Sequence, residues 1–229
     1  MRKFLLSSFL IAFLFYGCDQ DNSPTGPSDG QTFTYLHGRI EGWNSGTGKI
    51  LSFCVYPVSL SKTEIKKDGS FALHCPRPPA TLLANVEDSF FSPYLSISDS
   101  SAKFSYAFLC VNSGGKEIGE AVQSDRKTKD QYYLEDIGSF IIGYWYFDRA
   151  VTLIGYSETR EGNKDARYNY NIKASQGWNL ITKSLKQNSA QAKVYQVTSG
   201  TSAPSNYYFI PYSSLHKSPL FSPSVLLRK

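Results

Sequence analysis

Three patterns of apolar and polar residues follow one another along the chain. The first is a basic start, Met1-Arg2-Lys3, then an uncharged run from Phe4 to Tyr16 rich in Leu and Phe, then Gly17, Cys18 and the polar Asp19-Gln20-Asp21-Asn22. A short apolar core between positive charge and a small residue has the layout of a secretory signal. As helix the run rises only about 20 Å, too little for the ~30 Å of bilayer hydrocarbon. The second pattern, through Ser23-Pro24-Thr25-Gly26-Pro27-Ser28-Asp29-Gly30, has no apolar period and reads as a flexible tether. The third begins at Phe33 and has period two.

Phe33, Tyr35, His37 and Arg39 share one face of an extended segment, and Leu36, Gly38 and Ile40 share the other. Asn44-Ser45-Gly46-Thr47-Gly48 is a turn, and Ile50–Val58 reads as the next strand. Asp68-Gly69, within Lys66–Ser70, supplies the positive φ of a tight hairpin, after which Phe71, Leu73 and Cys75 alternate with Ala72 and His74. Pro76-Arg77-Pro78-Pro79 ends that strand, because proline cannot donate to a ladder. Further strands are predicted at Thr81–Val86, Phe104–Val111, Phe140–Phe147, Val151–Gly155, Tyr168–Lys173, Gly177–Ile181, Val194–Val197 and Tyr207–Tyr212. Gly114-Gly115 and residues 160–165 are turns, and 123–131 is an exposed loop. Ser184–Ala192 is the one short helical candidate, and apolar Phe221–Leu227 is expected to close a sheet edge. Many short strands with regular turns predict an all-β fold, an antiparallel β-sandwich or partly open barrel. The chain thus divides into a leader (1–17), Cys18 with its tether (18–32) and a β domain (33–229), taken either whole or as two subdomains divided near 123–131.

Composition supports strands: 16 Tyr and 15 Phe are accompanied by one Met, the initiator. The 24 basic residues, two of them in the leader, stand against 19 acidic ones without a run of five like charges, which argues against a nucleic-acid partner. Cys54, Cys75 and Cys110 show no C-x-x-C spacing. They read either as buried free thiols or as a Cys54–Cys75 bridge with one thiol left over.

Catalytic chemistry finds little support. His37, His74 and His216 show no paired-ligand spacing, and there is no G-x-S-x-G elbow. Glycine-rich Gly42–Lys49 is followed by Ile50, which has no hydroxyl for a nucleotide's magnesium. Glu87-Asp88 and Glu135-Asp136 are adjacent pairs, whose members point apart in a strand and are solvated in a loop. Asp19 and Asp21 lack a calcium-loop context. No catalytic residue, metal site or cofactor is assigned. The aromatic runs are more informative. Tyr144-Trp145-Tyr146-Phe147 places rings on both faces of one strand, and Tyr207-Tyr208-Phe209 repeats the feature. Either the strand is covered on both sides and buries them, or Tyr144, Trp145, Tyr146 and Tyr207 form a platform on which sugar rings or a peptide stack.

Three resemblances add to this. Leu14-Phe15-Tyr16-Gly17-Cys18 resembles a bacterial lipobox, which implies that Cys18 is acylated and becomes the new N-terminus. Gly38-Arg39-Ile40, Thr63 and Asp68-Gly69-Ser70-Phe71-Ala72-Leu73 resemble carboxypeptidase-regulatory-like or transthyretin-like β-sandwich modules over about fifty residues. Phe147–Thr152 through Gly177-Trp178-Asn179 is similar to a pattern in uncharacterised bacterial lipoproteins, which implies location and fold and no reaction. The resulting expectation is an exported, lipid-anchored, non-enzymatic binding or structural module of the cell envelope. Its partners would be the membrane, through lipid, and a glycan or envelope protein. An envelope hydrolase would instead require two facing carboxylates, or a histidine beside a nucleophile.

Overall fold

The structure, a computed structural model, describes residues 32–90, 92–127, 134–201 and 205–212. The leader, Cys18, the tether as far as Gln31, His216 and Phe221–Leu227 lie outside the described residues. Strand accounts for 65% and helix is nearly absent, so the fold is all-β. The strands are β1 (Tyr35–Glu41), β2 (Lys49–Val55), β3 (Val58–Ile65), β4 (Ser70–His74), β5 (Ala84–Asn85), β6 (Leu95–Ile97) and β7 (Lys103–Ser113). They continue as β8 (Lys116–Ser124), β9 (Phe140–Phe147), β10 (Val151–Glu161), β11 (Lys164–Ala174), β12 (Gly177–Asn188), β13 (Ala192–Ser199) and β14 (Asn206–Pro211). One helical turn, α1 (Val86–Ser89), follows β5.

All strands belong to one sheet, not closed into a barrel, with the path β4-β1-β14-β8-β7-β9-β12-β13-β11-β10-β6. The pairing is antiparallel except for β1–β14 and β11–β13, which are parallel, so the sheet is mixed and mostly antiparallel. Strand β7 is the hub. Along one edge its first half pairs with β9 and its last residues with β8; along the other it pairs with β5 and then β2.

Side chains alternate across the central strands, and both faces are covered. On β9, Phe140, Ile142, Tyr144 and Tyr146 enter a first core with β1, β2 and β4. Ile141, Trp145 and Phe147 turn into a second core with β10, β11 and β13. Strand β12 divides in the same way, sending Trp178 and Leu180 to the first core and Ile181 and Leu185 to the second. Each core draws on residues both before and after 128–133, so their membership interleaves along the chain. Burying a large apolar side chain contributes about 1.5–3 kcal/mol, and these shared strands supply two cores at once. In the first, Trp178 meets Phe53 edge-on with centroids 4.7 Å apart and donates its Nε1–H to the Pro76 carbonyl at 2.9 Å.

Several expected elements are corrected. Ile50–Val58 is not one strand: the chain turns at Tyr56-Pro57 and returns as β3. The turn at Lys66–Gly69 forms, closed by a Gly69 N–H to Lys66 O bond of 2.9 Å, with Gly69 at φ +87°. The strand after it is nonetheless laddered to β1, not back onto β3. Thr81–Val86 is a 3-10 turn at Ala80–Leu82 and a two-residue strand, held back by the preceding prolines. The helical candidate Ser184–Ala192 is instead the end of β12 and the entry to β13, joined by backbone bonds across Ser189 and Ala192. The Cys54–Cys75 bridge is absent. All three thiols are free, Cys75 lies in the first core, and the alternation of β2 sends Phe53 and Val55 there while Cys54 points the other way.

Candidate functional site

The ladder between β7 and β9 spans Phe104 to Ala107, and the ladder between β7 and β8 starts at Cys110. Beyond it, β8 leaves β7 and pairs with β9 through Gln123–Ile142 and Ser124–Ile141. Between the two ladders, at Phe108 and Leu109, the three strands part, and a cavity of about 200 Å³ opens on the second-core side.

Its walls follow from the period of two. Phe104, Tyr106 and Phe108 project from β7 on one face, and Ile141, Gly143 and Trp145 from β9. Tyr168 and Tyr170 of β11 approach from across the core, and Phe90, just past α1, closes the side. The rings interlock: Phe90 stands 5.2 Å from Trp145, 5.0 Å from Phe104 and 5.9 Å from Tyr170, centroid to centroid. The Trp145 indole lies over Gly143, in the space that a Cβ there would need.

Polar groups are few. Tyr170 shares a hydroxyl–hydroxyl bond of 3.2 Å with Ser157, and Ser89 donates to the Asn85 carbonyl at 2.8 Å. Burial holds both Tyr106 and Tyr170 above the usual phenol range, with the Glu120 charge adding to the effect on Tyr106. Lys183 places its ammonium 5.1 Å from the Tyr195 ring centroid. None of the residues lining the cavity is a histidine, cysteine, aspartate or glutamate. The arrangement can hold an apolar molecule.

Of the two readings of Tyr144, Trp145, Tyr146 and Tyr207, burial in a strand covered on both sides holds for three. Tyr144, Tyr146 and Tyr207 are buried in the first core because β9 is covered on both faces and β14 lies between β1 and β8. Tyr144 donates to Gln123 Oε1 at 3.0 Å, and the Tyr207 ring lies edge-on to Phe71 at 4.9 Å. Trp145 is half-buried, and it and Tyr144 are among the residues that line the cavity. Phe104, Tyr106 and Phe108 were not singled out from the sequence, although their spacing of two was a readable signal.

Elsewhere, Glu87 and Asp88 are exposed on α1 and Glu135 and Asp136 are exposed in a loop, so neither pair faces a cleft. His37 and His74 are exposed neighbours on β1 and β4, flanking Tyr35 at 6.1 and 5.0 Å. Glu161 is buried, but its carboxylate is fully engaged: it accepts from Tyr168 and, at 2.9 Å, from Tyr195, while Lys193 approaches to 3.7 Å. Among the described residues no group of three or more His, Cys, Asp or Glu is placed to hold a metal ion. Compared with family models, with curated proteins and with solved structures, the chain has no match.

Proposed function

We propose that this chain is a lipid-anchored, non-enzymatic protein of the cell envelope that binds a small apolar molecule where β7, β8 and β9 part. The aromatic cavity is the observation that carries the reading. Its roughly 200 Å³ suits one aromatic ring or a short branched hydrocarbon; an engineered apolar cavity of ~150 Å³ admits benzene. Lys183 is the charged residue in the wall, which favours a ligand whose polar end is neutral or anionic. The leader pattern at Phe4–Cys18 supports export and anchoring.

Toluene tests the binding. A ligand held only by the folded state raises the melting temperature, by about 3–5 °C at ten times Kd for a chain of this size. Saturable stabilisation by toluene, with no effect of hexoses, is the expected result, and a flat response to toluene removes the reading. A glycan reading rests on a different place, the exposed Tyr35 flanked by His37 and His74. Glycan-array binding lost in Tyr35→Ala would favour it.

A further inference from the structure

We propose that Cys54 and Cys110 form a dithiol site that closes to an intramolecular disulfide by exchange with an external disulfide. The two residues sit on adjacent antiparallel strands, with Ser52 opposite Cys110 and Cys54 opposite Phe108, which makes them diagonal neighbours on one face. The two thiols perturb one another's ionisation, as expected of such neighbours. Cys75 is separated from both, buried in the first core on the other side of the sheet.

The pair is asymmetric in the way exchange requires. Cys54 is half-exposed and Cys110 is buried. Hydrogen bonding from Cys110 draws the Cys54 thiol below its usual range, whereas that same contact, and then burial, keep Cys110 protonated. Exchange therefore starts at Cys54, since the thiolate is the nucleophile. Its sulfur attacks one sulfur of the external disulfide, forming a mixed disulfide and releasing one thiolate. Cys110 then gives up its proton to the released external thiolate or to solvent. The Cys110 sulfur attacks Cys54 Sγ, and the second external thiolate departs. Two protein thiols are oxidised by two electrons and one external disulfide is reduced to two thiols.

Diagonal neighbours have Cα atoms roughly 7–8 Å apart and a disulfide spans about 4.4–6.8 Å, so closure draws β2 toward β7 by about 1 Å. β2 has room to move there, because a bulge between Phe53 and Cys54 breaks its register with β3 and the chain turns two residues later. An exported location would keep such a bond oxidised. The proposal does not depend on the cavity.

The test exposes the reduced whole protein to oxidised glutathione, quenches in acid, alkylates under denaturing conditions and maps the peptides by mass spectrometry. Cys54 and Cys110 should leave the alkylatable pool together and appear as one cross-linked peptide pair, with Cys75 still fully alkylated. Cys110→Ser should stop with glutathione on Cys54, and Cys54→Ser should leave Cys110 alkylatable. If either variant misfolds, the wild-type map alone decides. Retention of all thiols, glutathione persisting on wild-type Cys54 without a cross-link, or a bridge to Cys75, Cys18 or a second chain would overturn the proposal.

Discussion

Trp145 lies against Gly143, its Nε1 3.0 Å from where a Cβ at that glycine would stand. The glycine has no positive φ, so a side chain there is limited by space and not by backbone strain. A side chain at this glycine must displace the indole, and the two then take up room in the cavity.

Gly143→Leu should therefore fill it. The expected outcome is loss of the toluene-induced rise in melting temperature with the far-ultraviolet circular dichroism unchanged. Gly143→Ala should shift the Trp145 fluorescence, because the ring must move by a few tenths of an ångström. A Leu variant that still responds to toluene would place the binding elsewhere.

The Glu161 cluster, one of whose tyrosines, Tyr168, also lines the cavity, predicts a large stability effect. Removing the carboxylate takes an acceptor from two buried hydroxyls and the counter-charge from Lys193, whose ammonium keeps its bond to the Leu134 carbonyl, and breaking a buried charged pair costs about 3–5 kcal/mol. Glu161→Ala should lower the urea midpoint accordingly with an unchanged slope. Glu161→Gln, which retains one acceptor oxygen, should lie between.

Acid sensitivity should trace in part to Asp148. Burial opposes its ionisation, but the Lys103 amide, at 2.7 Å, and Arg149 outweigh it and hold the carboxyl below its ordinary range. The unfolded chain keeps a value of about 3.9. The stabilisation is therefore complete above that pH and is lost as the pH falls through the lower folded value. Asp148→Asn should be less stable than wild type at pH 7, and the gap should narrow towards pH 2. A gap that is constant with pH would mean that only the hydrogen bond matters.

Anchoring is tested by Cys18→Ser, which should move the protein from the membrane to the soluble fraction on cell fractionation. Retention in the membrane fraction would remove the acyl anchor from the reading.

The period of two made β1, β4, β7, β9, β10 and β11 legible, because each alternates clearly enough to mark a strand. It missed β3 and β8, whose sequences, Val58–Ile65 and Lys116–Ser124, carry charge at positions that resemble loop. It misread the end of β12 because Leu185 is its only buried residue after Ile181. The cavity was not legible for a different reason. Its aromatic walls are local patterns, but the opening exists because β8 changes partner from β7 to β9, and no stretch of sequence encodes that exchange. The same limit explains Tyr144, Tyr146 and Tyr207: ring content identifies a strand, while only its place in the sheet decides what covers it.

The insertion of β14 between β1 and β8 bears on how the molecule comes into being. A polypeptide threaded outward from its amino end presents β1 first and the strand that must lie beside it last. Until Asn206–Pro211 has emerged, β1 and β8 each keep an open edge ready to pair with a stranger. Long-range pairing of this kind is slow and leaves the nascent chain prone to aggregation. Assembly therefore waits on Asn206–Pro211, and a nascent copy needs shielding from its neighbours until that strand is made.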